Sequence, residues 1–201
     1  AMSAQQHKLW YNKPASHWLE ALPIGNSSLG AMVFGGTETE EIQLNEETFW
    51  IGSPHDNNSK ESLAALPEVR RLIFEGKEPE ASKLIDKYFV KGPHGMRFLP
   101  VGSVKLSLGH KNISNYRREL NIGTALNTTS YTCNGVKYER TVFASLADHA
   151  VIVRLTASKK GTLSFGVEFG SPLEHRVDTG DGMLTATVKN ADHEGVKGEL
   201  T

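Results

Sequence analysis

A single cysteine, Cys133, occurs in 201 residues, so no internal disulfide can form and packing with hydrogen bonds must hold the fold. Lying in an alternating run, Cys133 reads as a small buried hydrophobe and not as a nucleophile. No apolar run approaches the roughly 20 residues that a helix needs to span a bilayer, so no membrane partner is expected. Neither sign of charge dominates: Lys+Arg 22 against Asp+Glu 23 leaves a formal charge of -1. With no Lys/Arg cluster, the concentrated basic face that nucleic acid requires is excluded. The eight histidines are scattered, and no pair has the ligand spacing of a zinc site. Aromatics are few, and Trp10, Trp18 and Trp50 fall in the first quarter of the chain, outside its repeating strands. A flat aromatic platform on a sheet face is therefore disfavoured.

Period-2 alternation is what the chain does have. Val104, Leu106 and Leu108 form one apolar face, and Val136, Tyr138, Arg140 and Val142 alternate with Lys137, Glu139 and Thr141. Val151, Val153 and Leu155 repeat the theme, then Leu163, Phe165, Val167 and Phe169, then Leu184, Ala186 and Val188. A strand with one buried face requires this alternation. Asn134-Gly135 between two such runs predicts a type I′ hairpin, and Lys160-Gly161 and Gly180-Asp181-Gly182 mark further turns. Many strands at short spacing predict an antiparallel β-sandwich.

One region breaks the rhythm. From Ser59 to about Val90 the period becomes helical, with Ala81, Leu84, Ile85, Tyr88 and Phe89 on one face. Gly76 suits the end of a helix from Leu63 to Glu75, Pro67 disturbs that helix's first turn, and Pro79 suits the first turn of the next. This helical insertion, at about residues 60–90, either covers an edge or open end of the sandwich or docks on another domain.

The segment from Leu22 to Gly52 is the most patterned. Glycine-punctuated Gly25-Asn26-Ser27-Ser28-Leu29-Gly30 leads into apolar Ala31-Met32-Val33-Phe34; after Gly35-Gly36 comes Glu41-Ile42-Gln43-Leu44. The run closes on Asn45-Glu46-Glu47-Thr48-Phe49-Trp50. Tight turns need glycine's positive φ, so this is a hairpin with a polar-aromatic exit. The glycine loop is no phosphate cradle, because it feeds a strand and not a helix N-terminus. Glu38, Glu40, Glu41, Glu46 and Glu47 read as a solvated acidic surface rather than an acid/base pair. His55-Asp56-Asn57-Asn58 offers oxygen ligands without the spacing of a calcium loop. Asn26, Asn57, Asn112 and Asn127 begin Asn-x-Ser/Thr sequons that arise easily by chance. At the exit, Trp50 could stack on a sugar while Asn45 and Glu46 bind hydroxyls; alternatively the two polar groups tie a corner and Trp50 fills core or interface.

Leu22-Pro23-Ile24-Gly25-Asn26, Leu29 to Gly36, and Asn45-Glu46-Glu47-Thr48-Phe49-Trp50 resemble the N-terminal signature of glycoside hydrolase family 95. The likeness continues in order through Leu66 to Ile73 with Gly76, Leu99-Pro100-Val101-Gly102, Tyr116 to Leu120, Tyr138 to Ser145 and Leu163-Ser164-Phe165. It covers Trp10 to about Pro172. Ser27-Ser28, Phe49 and Ser103 depart from the pattern and alter local loop chemistry. The family comprises large α-L-fucosidases, some acting on α-L-galactosides, built from an N-terminal β-sandwich, a helical linker, an (α/α)₆ barrel and a C-terminal β-domain. Their acid Glu and water-activating Asn and Asp lie in the barrel.

The resemblance implies a supersandwich-like N-terminal domain over residues 1–201, truncated at its C-terminal end, where Gly198 to Thr201 read as the start of another strand. An unpaired sheet edge is expected near that point. The barrel is absent, so the chain holds no catalytic, cofactor or metal residue. Inverting hydrolysis of terminal α-L-fucose, α1,2-linked, is implied for the longer protein, with its proton donor and water-activating group in the barrel. The expected partners are the barrel of the same polypeptide and, through it, a fucosylated glycan. Asn45, Glu46, Phe49 and Trp50 are the candidate interface with the barrel, Trp18 and Leu19 the second choice. An N-domain of an α-L-galactosidase and an autonomous carbohydrate-binding sandwich are the alternatives. Ala1-Met2 looks like a cloning scar, and Ser3 to Lys8 a lead-in following a removed signal peptide. The resemblance implies a periplasmic or secreted bacterial protein, with no signal peptide in this chain.

Overall fold

The computed structural model describes residues 7–89, 92 and 95–199. The chain divides into two compact units: Ala1–Phe49 with Leu99–Val188, and Trp50–Phe98 with Lys189–Thr201. The expected cloning scar, the residues Ser3 to Gln6 of the lead-in, and Leu200 and Thr201 lie outside the described residues.

The first unit is an antiparallel β-sandwich, as the alternation requires. One sheet pairs β1 (Lys8–Tyr11), β6 (Ser114–Asn121), β7 (Leu126–Cys133), β8 (Val136–Ser145) and β9 (Ala150–Ala157) in that order. The other runs β10 (Gly166–Gly170), β5 (Gly102–Ser107), β4 (Thr39–Glu46), β3 (Leu29–Val33) and β2 (Leu22–Gly25). A separate hairpin joins β11 (His175–Gly180) to β12 (Met183–Val188), with β11 exposed along its length. Leu22, Ile24, Ala31, Val33, Ile42, Leu120 and Val142 form the core between the five-stranded sheets. The β7–β8 turn has positive φ at both Asn134 and Gly135, as a type I′ hairpin needs. At the β2–β3 turn, buried Asn26 accepts from the Leu29 N–H at 2.8 Å and donates to the Ser145 carbonyl at 2.6 Å, tying the two sheets together.

Several expectations are corrected. Trp10 lies within a strand, β1, on the edge of its sheet. Leu163 and Phe165 precede β10 and are exposed, as is Val167, so that alternation marks an open edge. Gly198 and Glu199 form no strand; hydrogen bonds to Asp192 and Asn190 hold them.

The largest correction concerns charge. Glu40 is not on a solvated acidic surface: it is 0% exposed and ion-paired with Arg140, itself 2% exposed. Thr39–Glu46 places Glu40 in phase with Ile42, hence on the core face. Its Oε1 accepts the Phe34 and Gly35 N–H groups at 3.1 and 2.9 Å, while Oε2 takes Arg140 Nη2, which also donates to the Gly36 carbonyl. Burial alone pushes the guanidinium down to about 9. The Glu40 carboxylate in contact supplies the opposite charge. In cross-strand register, Arg118, Thr129 and Arg140 form one buried row on the inner face of β6, β7 and β8. Arg140 Nε and Nη1, Arg118 Nη2 and Thr129 Oγ1 find no acceptor or donor among the described residues.

Arg118 reaches the sheet's margin. It donates to the Lys13 and Glu20 carbonyls at 2.8 and 2.7 Å and lies over the Tyr11 ring. The 3₁₀ turn Trp18–Glu20 that it holds is locked a second way. The Glu20 carboxylate accepts from the backbone N–H and then the hydroxyl of Ser16, which lowers its pKa from 4.5 to about 2. A carboxyl depressed in the folded state stabilises above its unfolded pKa, and that gain fades as pH falls toward the folded one. The urea-midpoint gap between the parent and Glu20→Gln should therefore be constant above about pH 5 and close between about pH 4.5 and 2. A gap that ignores pH would mean that the carboxylate contributes nothing as an anion.

In the second unit the helices form where their period appeared. Helix α1 (Ser62–Phe74) and helix α2 (Glu78–Tyr88) pack through Val69, Leu72 and Ala81, with Leu84, Ile85 and Phe89 against them. Gly76, at φ 73, ends α1: its N–H reaches the Ile73 carbonyl and that of Lys77 the Leu72 carbonyl, a Schellman closure. Pro67 sits inside α1, and Pro79 opens α2.

Candidate functional site

The exit of β4 is built from both ends. Asn45 pairs with Gly30 and Glu46 with Leu29 across β3–β4, both half-buried. The Glu46 carboxylate accepts from the Thr48 N–H at 2.9 Å and its hydroxyl at 2.6 Å, and the Phe49 N–H reaches the Glu46 carbonyl. The carboxylate thus ties its own corner. Phe49, at 3% exposure, is core. It offers no surface, and its backbone carbonyl accepts from the Leu99 N–H at 3.0 Å.

Trp50 belongs to the second unit and is 46% exposed. It bridges Phe98, the ring centroids 5.3 Å apart and tilted by 58°. Asn190, buried to 9% exposure, fixes this segment: its Nδ2 donates to the Trp50 and Gly52 carbonyls at 2.6 and 2.9 Å, and its Oδ1 accepts the Glu199 N–H. Phe98 and Asn190 were not legible in the sequence, since they lie about 50 and 140 residues from Trp50. The second-choice residues Trp18 and Leu19 are both exposed in the first unit.

The two aromatic rings and the groups around them are held in fixed positions. Half-exposed paired rings offer an apolar surface with a firm backbone behind it. Glu40, the one fully buried carboxylate among the described residues, is committed to Arg140 and two backbone amides. Asp56 closes an Asx turn onto the Asn58 N–H, and among the described residues no three His, Cys, Asp or Glu side chains converge as a metal requires. His110, held below its ordinary pKa by burial, bonds the Tyr131 hydroxyl and packs on Tyr138, which places it in an aromatic cluster. No helix among the described residues is long and apolar enough to cross a membrane.

The family of the chain, the N-terminal domain of a glycosidase, comes from its sequence match. A family model described as "Glycosyl hydrolase family 65, N-terminal domain" matches residues 9–200, and the chain belongs to that family. Among curated proteins it is 38% identical over 176 residues to "Alpha-L-fucosidase 2" of Arabidopsis thaliana, covering 86% of this chain and 21% of the relative. It is 28% identical over 177 residues to "Probable alpha-fucosidase A" of Aspergillus niger (82% and 22%), and 29% identical over 166 residues to that of Aspergillus oryzae (77% and 22%). The chain spans about a fifth of the length of these relatives. All three are plant or fungal, so the expected bacterial origin draws no support from them.

Proposed function

We propose that this chain is the non-catalytic N-terminal part of a family 95 α-L-fucosidase, which hydrolyses terminal α1,2-linked fucose with inversion in a barrel following residue 201. The observation that carries the reading is the 38% identity, over 86% of the chain, to a plant protein named an α-L-fucosidase. The ordered signature blocks from Leu22 to Ser145 favour family 95 within the wider group of related N-terminal domains. The residues that meet the barrel are Asn45, Glu46 and Phe49 in the first unit, where Glu46 stiffens the turn and Phe49 anchors it from within, and Trp50 in the second, which presents its ring with Phe98. Its setting is periplasmic or secreted.

The test is activity with and without the rest of the polypeptide. The 201-residue chain should leave an aryl α-L-fucoside unhydrolysed, because the general acid and base alone are typically worth roughly 10²–10⁴-fold and neither is here. The polypeptide extended beyond residue 201 should release fucose from an α1,2-linked fucosyl galactoside, with the inverted anomer first in the NMR spectrum. Turnover by the purified short chain, or an extended polypeptide preferring an α-L-galactoside, overturns the respective part.

A further inference from the structure

Helix α1 carries two apolar stripes, and only one is used. Val69 and Leu72 are buried against α2. On the opposite side Leu63, Pro67, Arg70 and Phe74 project within about 60° of one another, given 3.6 residues per turn. Leu63 is 78% and Phe74 88% exposed, the latter the most exposed large hydrophobic among the described residues. A surface helix normally puts charge there. Pro67 adds a second peculiarity. Lacking an N–H, it deprives the Leu63 carbonyl of its i+4 donor and leaves an acceptor at the head of the stripe.

We infer that this stripe is a docking face for the remainder of the same polypeptide, beyond residue 201. The inference rests on the reading of the chain as the N-terminal part of a longer glycosidase. Two observations select that occupant. The matched relatives are four to five times longer than the stretch they share with this chain, so a tethered neighbour is at hand. The flank of the stripe is self-neutralised: Arg71 pairs with Glu68 at 2.6 Å and Glu75 at 2.5 Å, and Lys77 with Glu75 at 2.8 Å. A freely diffusing partner gains from charge that steers its approach. A tethered domain needs none, because a short linker supplies an effective concentration in the millimolar range. Apolar Leu63 and Phe74 with one backbone acceptor suit such a contact, in which the Arg70 stem adds apolar cover.

Thiol labelling tests this, since Cys133 is buried and adds little background. Phe74→Cys, Leu63→Cys and the turn control Lys160→Cys are each placed in the extended polypeptide and in the 201-residue chain. Maleimide uptake is read by peptide mass at each position. Positions 74 and 63 should label at least tenfold more slowly than position 160 in the extended polypeptide, and at the rate of position 160 in the short chain. Equal rates at all three positions in the extended polypeptide overturn the inference. So does protection in the short chain that grows with protein concentration, which would make a second copy the occupant. Fucosidase activity of the same samples is scored separately. An active polypeptide with labile positions 74 and 63 sinks the docking face alone, whereas protection without fucosidase activity leaves it standing and sinks the substrate.

Discussion

Replacing Glu40 by glutamine should cost about 3–5 kcal/mol of folding stability, among the largest effects open to one side chain here. The substitution keeps the shape and removes the charge that Arg140 faces. At 2% exposure the guanidinium cannot turn to water, and its Nε and Nη1 already lack partners among the described residues. For a chain of this size each kcal/mol is worth roughly 2–4 °C, so the melting temperature should fall by about 6–20 °C. Thermal and urea unfolding followed by circular dichroism will show it. The double variant Glu40→Met with Arg140→Met should recover most of the loss, because the desolvation penalty of two ions leaves with them. A single-variant loss below about 1 kcal/mol, the range of a surface pair, would mean that water reaches the site.

The second expectation concerns Gly35, whose φ of 78° and surroundings both exclude a side chain. A Cβ there would lie 2.5 Å from Tyr116 Oη and 2.8 Å from Arg118 Cδ. Neither can give way easily: the Tyr116 hydroxyl donates to the Gly35 carbonyl at 2.6 Å, and Arg118 is fastened to two carbonyls. Left-handed backbone costs a non-glycine residue about 1–2 kcal/mol and overpacking about 1–3 more, so Gly35→Ala should lose about 2–5 kcal/mol. Gly135→Ala supplies the control. Its φ of 76° is alike, but nothing lies within 4 Å of the added Cβ, so it should lose only the backbone part. Equal losses at the two sites would show that the sandwich relaxes around residue 35 and that the steric argument fails.

Of the candidate corner, Trp50 shows an exposed ring and Phe49 a buried one, although the two are chain neighbours of the same chemistry. Alternation could not separate them, because the strand β4 stops at Glu46 and the chain turns before Phe49. Glu40 differs. Its phase with Ile42 was readable, as was that of Arg140 with Tyr138 and Val142, yet charged residues are so seldom buried that the surface reading prevailed. A carboxylate and a guanidinium out of phase with solvent on separate strands are a pair waiting to be matched. The sequence holds both halves 100 residues apart without saying that they meet.

The sequence by itself determined the fold class: period-2 runs, an Asn134-Gly135 turn and one stretch of 3.6 period are local patterns, and backbone geometry turns each into an element without help from afar. It determined too, through ordered motifs, the kind of protein to which the chain belongs. Only the tertiary structure decided that Arg118, Thr129 and Arg140 line up as one buried row, that Asn190 fastens the Trp50 segment, and that one side of α1 is left apolar and uncovered. Each depends on which segments lie together, and burial, unlike periodicity, is a property of the neighbours a residue acquires and not of the residue.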